Sequence, residues 1–244
     1  MITTRIMTYN VQRCRGPDGQ TNIDRVLHTI ADAAPDIVAL QDLGTVNNAD
    51  ILAYLAKQLG SKAYRDMAGG EQVFISHIPL RGIQKYSLGY AGSCLRADVD
   101  LGGRRLHLLN VCLDTFPRFR KKQIETLLGP ELLGNPSMAS PVLVLGDFGD
   151  FLWGAGNLEL GSVLRRVHRP LWRATYPSLY PLFDRDRAYL RGGVRVLDAS
   201  INRSILARQA SKHLPLTLTV QVCNTQRTLP LPRLAGRRME TAPG

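Results

Sequence analysis

The chain has 244 residues, of which 44% are hydrophobic and 21% charged, an ordinary globular composition that excludes disorder as the default for its body. Lys and Arg number 31 against 20 Asp and Glu, giving a formal charge of +11 that draws anionic partners: nucleic acid, lipid headgroups or phosphorylated metabolites. The four cysteines (Cys14, Cys94, Cys112, Cys223) show no CxxC spacing, which argues against a zinc ribbon, and no apolar run approaches membrane-spanning length. The opening MITTRIMTYNV runs straight into a strand pattern, so the expectation is a cytoplasmic protein with reduced thiols.

Residues 4–11 alternate and are rich in β-formers, which predicts a strand. After the turn signal Gly16-Pro17-Asp18-Gly19, Ile23, Val26, Leu27 and Ile30 recur at helical spacing behind Asn22 as N-cap, and Pro35 ends the helix. Residues 36–41 (DIVALQ) read as a buried strand and 48–59 as a second helix. Two or three short strands are expected across 72–100, a turn at Gly102-Gly103, a strand over 105–112 and a helix over 117–133. Residues 141–145 (PVLVL) form a buried strand ending at Gly146-Asp147, and a loop-rich stretch follows. Strands are then expected near 186–190, 194–202 and 215–223.

Residues 225–244 read as a basic, Pro-containing, flexible tail behind one domain over 1–224. Residues 163–195 hold eight Arg against only Asp184 and Asp186, a stretch suited to a polyanion. Trp172, Tyr176, Tyr180 and Tyr189 lie within it, free to stack on bases or to pack the core. Strands and helices alternate and then strands dominate, which favours an α/β fold of two packed mixed sheets flanked by helices. A doubly wound parallel sheet is the second choice, but no glycine-rich phosphate loop follows the first strand.

Several buried-looking strands end in polar residues: Asn10, Asp42, Asn110, Cys112, Asp147 and Asp186, with His213 before the last strand. Loops at strand ends are where α/β proteins build sites. Separated carboxylates converging on one point suit a hard dication such as Mg²⁺, and an Asp beside a His suits acid–base work or charge stabilisation.

In this order the segments RIMTYNVQ, PDIVALQDL, HLLNVCLD, VLVLGDFGD, RDRAYL and SKHLPL resemble the endonuclease/exonuclease/phosphatase (DNase I-like) superfamily, over about residues 4–222. The resemblance implies a four-layer α/β sandwich and hydrolysis of a phosphodiester or phosphomonoester at a Mg²⁺ or Mn²⁺ centre. It implies that Asp147 activates water and that His213, oriented by Asp186, contacts a phosphoryl oxygen beside Asn10. Asp42 takes the place of the main metal ligand, a Glu in the family.

Four positions depart from the pattern. Asp42 is one methylene shorter than Glu, Cys112 replaces a His, Gly149 replaces a phosphate-steadying Asn, and Lys212 replaces an Asp. Lys212 is expected to pair with Asp42 and Asp147 and to repel a dication. Cys112 lacks any evident activating partner. Two functions stay open: a metal-dependent hydrolase with a degraded site, or an inactive pseudoenzyme serving as a basic phosphate-binding, nucleic-acid-binding or interaction module. An anionic lipid headgroup fits the same charges.

Overall fold

The computed structural model describes residues 2–44, 48–67, 69–138, 141–150, 156–168 and 172–223. The expected basic tail, 225–244, lies outside them. The elements run β1 (Thr3–Asn10), α1 (Ile23–Ala33), β2 (Ile37–Gln41), α2 (Asn48–Gln58), β3 (Lys62–Tyr64), β4 (Val73–Ser76), β5 (Leu80–Gly89), β6 (Gly92–Asp100), β7 (Arg105–Cys112) and α3 (Pro117–Leu128). They continue with β8 (Val142–Asp147), α4 (Gly156–Val163), β9 (Arg165–Arg166), β10 (Asp186–Arg191), β11 (Val194–Ile201), α5 (Ile205–Ala210) and β12 (Leu216–Val222).

They form two six-stranded sheets, ordered β11-β12-β1-β2-β4-β3 and β5-β6-β7-β8-β10-β9. Each sheet has one parallel pair, β1/β2 and β7/β8, among antiparallel neighbours. This is the expected pair of mixed sheets, and it sets aside the doubly wound alternative.

The central strands are apolar on both faces, as strands covered on both sides must be. Ile6, Ala39, Leu108, Leu145 and Leu218 fill the layer between the sheets. Met7, Tyr9, Val38 and Leu40 face Val26, Ile30 and Leu55 of α1 and α2. Leu109, Val111, Val144 and Tyr189 face Ile124 and Leu127 of α3 and Leu160 of α4. Each apolar set therefore packs against another element rather than water, which is what closes the sandwich.

Local expectations hold where side-chain chemistry decides them. Asn22 caps α1 by accepting from the Arg25 amide at 3.0 Å. Helix α3 stops at Leu128 rather than 133, because Gly129 precedes Pro130 and is extended (ψ 174°), out of the helical region. The stretch after Asp147 contains α4 and β9, and α5 precedes β12 behind a Ser204 cap that accepts from the Ala207 amide. None of these three short elements was expected.

The strand pairings bring the polar ends to one edge. Asn10 pairs with Gln41 across β1/β2, Cys112 with Asp147 across β7/β8, and Asp186 with Asp147 across β10/β8. Gly146 permits this arrangement, since a Cβ there would lie 1.9 Å from the Val111 carbonyl oxygen. An apolar cavity of about 270 Å³ lined by Ile30, Pro35, Leu59 and His77 lies toward the opposite edge, where β2 begins, and is not part of this site.

Candidate functional site

Asp147 is the hub. It is almost completely buried and accepts from four donors: Asn10 Nδ2 (2.9 Å) and Arg185 Nη2 (2.8 Å) at Oδ2, and the Gly149 amide (2.9 Å) and Arg185 Nε (3.2 Å) at Oδ1. Burial alone would raise its carboxyl. The charges of His213 and Arg185 and the Gly149 amide outweigh burial and hold it below the ordinary carboxylate value.

Asn10 is itself oriented. Its Oδ1 accepts from the Gln12 amide at 3.1 Å. Residues 12–14 then turn with three consecutive left-handed φ angles of 46–58°, an uncommon stretch for residues other than glycine. The Ser211 hydroxyl donates to the Asn10 carbonyl (2.8 Å) and accepts from the His213 amide (3.2 Å), tying the β1 end to the His213 loop.

His213 Nδ1 lies 2.9 Å from Asp186 Oδ2, and its Nε2 lies 3.9 Å from Asp147 Oδ2 with no hydrogen-bond partner among the described residues. Burial would lower its pKa, but Asp186 and Asp147 raise it above the ordinary histidine value. The Tyr176 ring is 4.8 Å from the His213 ring and 4.8 Å from the Arg185 guanidinium, a shared wall for both side chains. Asn10, Asp147, Asp186 and His213 thus come together in one cluster.

The substituted positions behave differently. Lys212 does not enter the site: its side chain is exposed and makes no ion pair among the described residues, while its carbonyl accepts from the Ser178 amide. The expected pairing of Lys212 with Asp42 and Asp147 is therefore wrong. The backbone here points alternate side chains of 211–213 in, out and in, and Lys212 takes the outward place.

Two arginines supply the cations instead. Arg185 binds Asp147. Arg13 Nε lies 3.5 Å from Asp42 Oδ1, and its Nη2 lies 3.9 Å from Glu71 Oε1. The Asp42 carboxyl is raised by partial burial and by Glu71, against the pull of Arg13. Glu71 was missed in the sequence because it lies in no strand-end pattern.

Cys112 is no nucleophile in waiting. Burial, then Asp147 and Asp42, push its thiol well above the ordinary value. Gly149 has φ 66°, and a Cβ there would meet the Asp114 carbonyl oxygen at 2.4 Å, so this backbone leaves no room for a side chain. Asn110 lies outside the site. It donates to the Leu40 and Val73 carbonyls and accepts from Gln41 Nε2 at 2.7 Å, which links the two sheets.

The Arg-rich stretch is partly internal. Arg166 pairs with Asp184, Arg187 reaches Asp150 at 3.3 Å, and Arg120 also holds Asp150, at 2.5 Å. Tyr189 is core, whereas Trp172 and Tyr180 are exposed.

Ligand atoms of Asp147, Asp186 and His213 lie within 4.8 Å of one another, a spacing that could hold a metal ion. The residues around them do not fit the divalent ion that the resemblance implies. Asp147 has its oxygens filled by donors that include a guanidinium, and Asp186 Oδ2 is committed to His213. Among the described residues, only Asp186 Oδ1 and His213 Nε2 of this group are left without partners. Asp42, the expected main ligand, faces Arg13. Four carboxylates (Asp42, Glu71, Asp147, Asp186) are met by the guanidiniums of Arg13 and Arg185, and Asp147 and Asp186 flank an imidazole whose pKa they raise, which reduces the negative excess that attracts a hard dication.

No model of a known protein family matches the sequence, and no curated protein is similar to it in sequence. Solved structures are similar in fold. An endonuclease/exonuclease/phosphatase from Bacteroides vulgatus superposes with a TM-score of 0.74 at 15% identity, over 91% of this chain and 100% of that one. TDP2 of D. rerio, complexed with a single-strand DNA product, gives 0.72 at 18% identity over 91% and 100%. An endonuclease/exonuclease/phosphatase from Beutenbergia cavernae gives 0.69 at 18% identity over 92% and 72%. Together with the two mixed sheets and the strand-end cluster, these likenesses show that the chain has the DNase I-like fold of the endonuclease/exonuclease/phosphatase superfamily.

Proposed function

We propose that this chain is a phosphate-binding member of the fold, directed at nucleic acid, in which fixed guanidinium groups stand where its relatives' pattern calls for a dication and in which hydrolysis is weak or lost. The observation that carries the reading is the four-donor embrace of Asp147, with Arg185 across both oxygens. A carboxylate so stabilised is a poor base for water, because general-base efficiency needs a pKa near the working pH. His213 keeps its part: Asp186 fixes the ring and favours its charged form, and the buried Nε2 is free to donate to a phosphoryl oxygen. The net charge of +11 and the nucleic-acid complex of the D. rerio neighbour support a polynucleotide over a small phosphate ester.

The alternative is a metal-dependent phosphoesterase, favoured by the proximity of Asp147, Asp186 and His213. It requires Arg185 to leave Asp147. Calorimetric titration with Mg²⁺ and Mn²⁺, beside hydrolysis of bis(4-nitrophenyl) phosphate, separates the two. The proposal expects no saturable metal binding and turnover no faster than a Asp147→Ala, His213→Ala control. Micromolar metal binding with turnover would replace it by the hydrolase reading.

A further inference from the structure

An exposed aromatic cluster stands beside the site on the side of β7. Tyr90, at the tip of the β5–β6 hairpin, stacks on Phe119 of α3 with ring centroids 4.0 Å apart and planes 25° from parallel. Phe116 meets Phe119 edge-on at 6.0 Å. Tyr90 and Phe116 are 60% and 64% exposed, too much for rings whose role is core packing. The Arg118 guanidinium lies 4.6 Å from the Phe119 centroid and Lys122 Nζ 5.9 Å from that of Tyr90. The result is a row of alternating cations and rings on the surface.

The cluster is anchored to the site. Buried Gln123 donates to the Gly89 carbonyl (3.0 Å) and accepts from the Asp114 amide (2.8 Å), joining the hairpin tip to the loop after β7. Gly92 leaves room for it, since a Cβ there would meet the Gln123 side chain at 2.4 Å. Arg120 joins the same loop to the Gly149–Asp150 turn through the Thr115 carbonyl (2.8 Å) and Asp150. Asp114 is two residues beyond Cys112, the register partner of Asp147.

We infer that this rim binds single-stranded nucleic acid, with unpaired bases stacking on Phe116 and on the Tyr90–Phe119–Arg118 row while Arg118 and Lys122 meet the backbone phosphates. The inference rests on the phosphate-binding reading above and names the part of the polymer that the adjacent rim would hold. Base stacking on rings and on guanidinium planes does not depend on sequence. Cations interleaved with the rings suit an alternating base–phosphate polymer. They suit hydrocarbon poorly, because burying them in lipid costs several kcal/mol each.

The test uses the full chain and three probes: labelled oligo-dT, an abasic deoxyribose-phosphate oligomer of equal length, and phosphatidylcholine–phosphatidylserine vesicles. The natural chain is expected to bind oligo-dT about tenfold tighter than the abasic oligomer, the share that stacking supplies. The Tyr90→Ser, Phe116→Ser variant, with both changes at exposed rings and an unchanged unfolding midpoint as control, should lose that preference and keep its abasic affinity. Equal binding of the two oligomers by the natural chain would overturn the inference, as would a variant that keeps its preference. Ring-dependent vesicle binding without an oligo-dT preference would overturn it in favour of a membrane. Failure to bind either oligomer would overturn the phosphate reading as well, a result distinguishable from loss of the preference alone.

Discussion

Arg185 lies along the Asp147 carboxylate, with Nε 3.2 Å from Oδ1 and Nη2 2.8 Å from Oδ2, and both side chains are buried. A bidentate pair of this kind fixes geometry as well as charge. It places a permanent cation on the carboxylate to which the resemblance assigns the activation of water. If the pair is what excludes a dication, removing the guanidinium should admit one. Arg185→Met should cost about 3–5 kcal/mol, the usual penalty for stranding a buried charge. Thermal unfolding should show Mn²⁺ recovering part of that loss in the variant and leaving the natural chain unmoved.

Lys212 is expected to be silent. Its side chain is exposed and makes no ion pair among the described residues. Lys212→Ala should change stability by no more than about 0.5 kcal/mol, the range for surface sites, and leave phosphate affinity unchanged. Denaturation with urea and phosphate titration check both points.

Restoring the family's Asn at Gly149 should not restore a site. The left-handed φ of 66° and the 2.4 Å approach to the Asp114 carbonyl make any side chain costly there. Gly149→Asn is expected to lower stability by about 1–3 kcal/mol, read from the urea midpoint, with no gain of hydrolysis.

The pH dependence follows from two opposite shifts. His213 is raised, so its contribution to stability is full below the unfolded histidine value of about 6.5 and is lost as pH rises through the higher folded value. Asp147 is lowered, so its contribution is full above the unfolded aspartate value of about 3.9 and is lost as pH falls through the lower folded value. Urea midpoints against pH should fall away on both sides. His213→Gln should flatten the alkaline side and also shrink the acid-side fall, because the His213 charge is one of the causes that lower Asp147.

Much of the site was legible because strands announce where they end. Asn10 and Asp147 close strands and Asp186 opens one antiparallel to β8; pairing aligns Asp147 with Asp186, and the packing of the two sheets brings Asn10 to them. The sheets were legible for the same reason. Arg185 and Arg13 were not. Arg185 sits in a run of four charged residues, Asp184–Arg187, where the sequence alone cannot say which side chain turns inward. Arg13 lies in a left-handed turn that no glycine marks. Lys212 was misread because its neighbour His213 does point inward, and an alternation of one residue reverses the conclusion. The short helices α4 and α5 escaped notice because eight and six residues carry too little periodic pattern.

The most direct test of the central claim is the binding of a 5′-phosphorylated oligo-dT to the natural chain, in EDTA and again in excess Mg²⁺, at fixed ionic strength. If guanidinium and imidazole groups hold the phosphate, the affinity in EDTA should be undiminished and Arg185→Met should weaken it. Binding that appears only with Mg²⁺, or strand cleavage that begins when Mg²⁺ is added, would contradict the account.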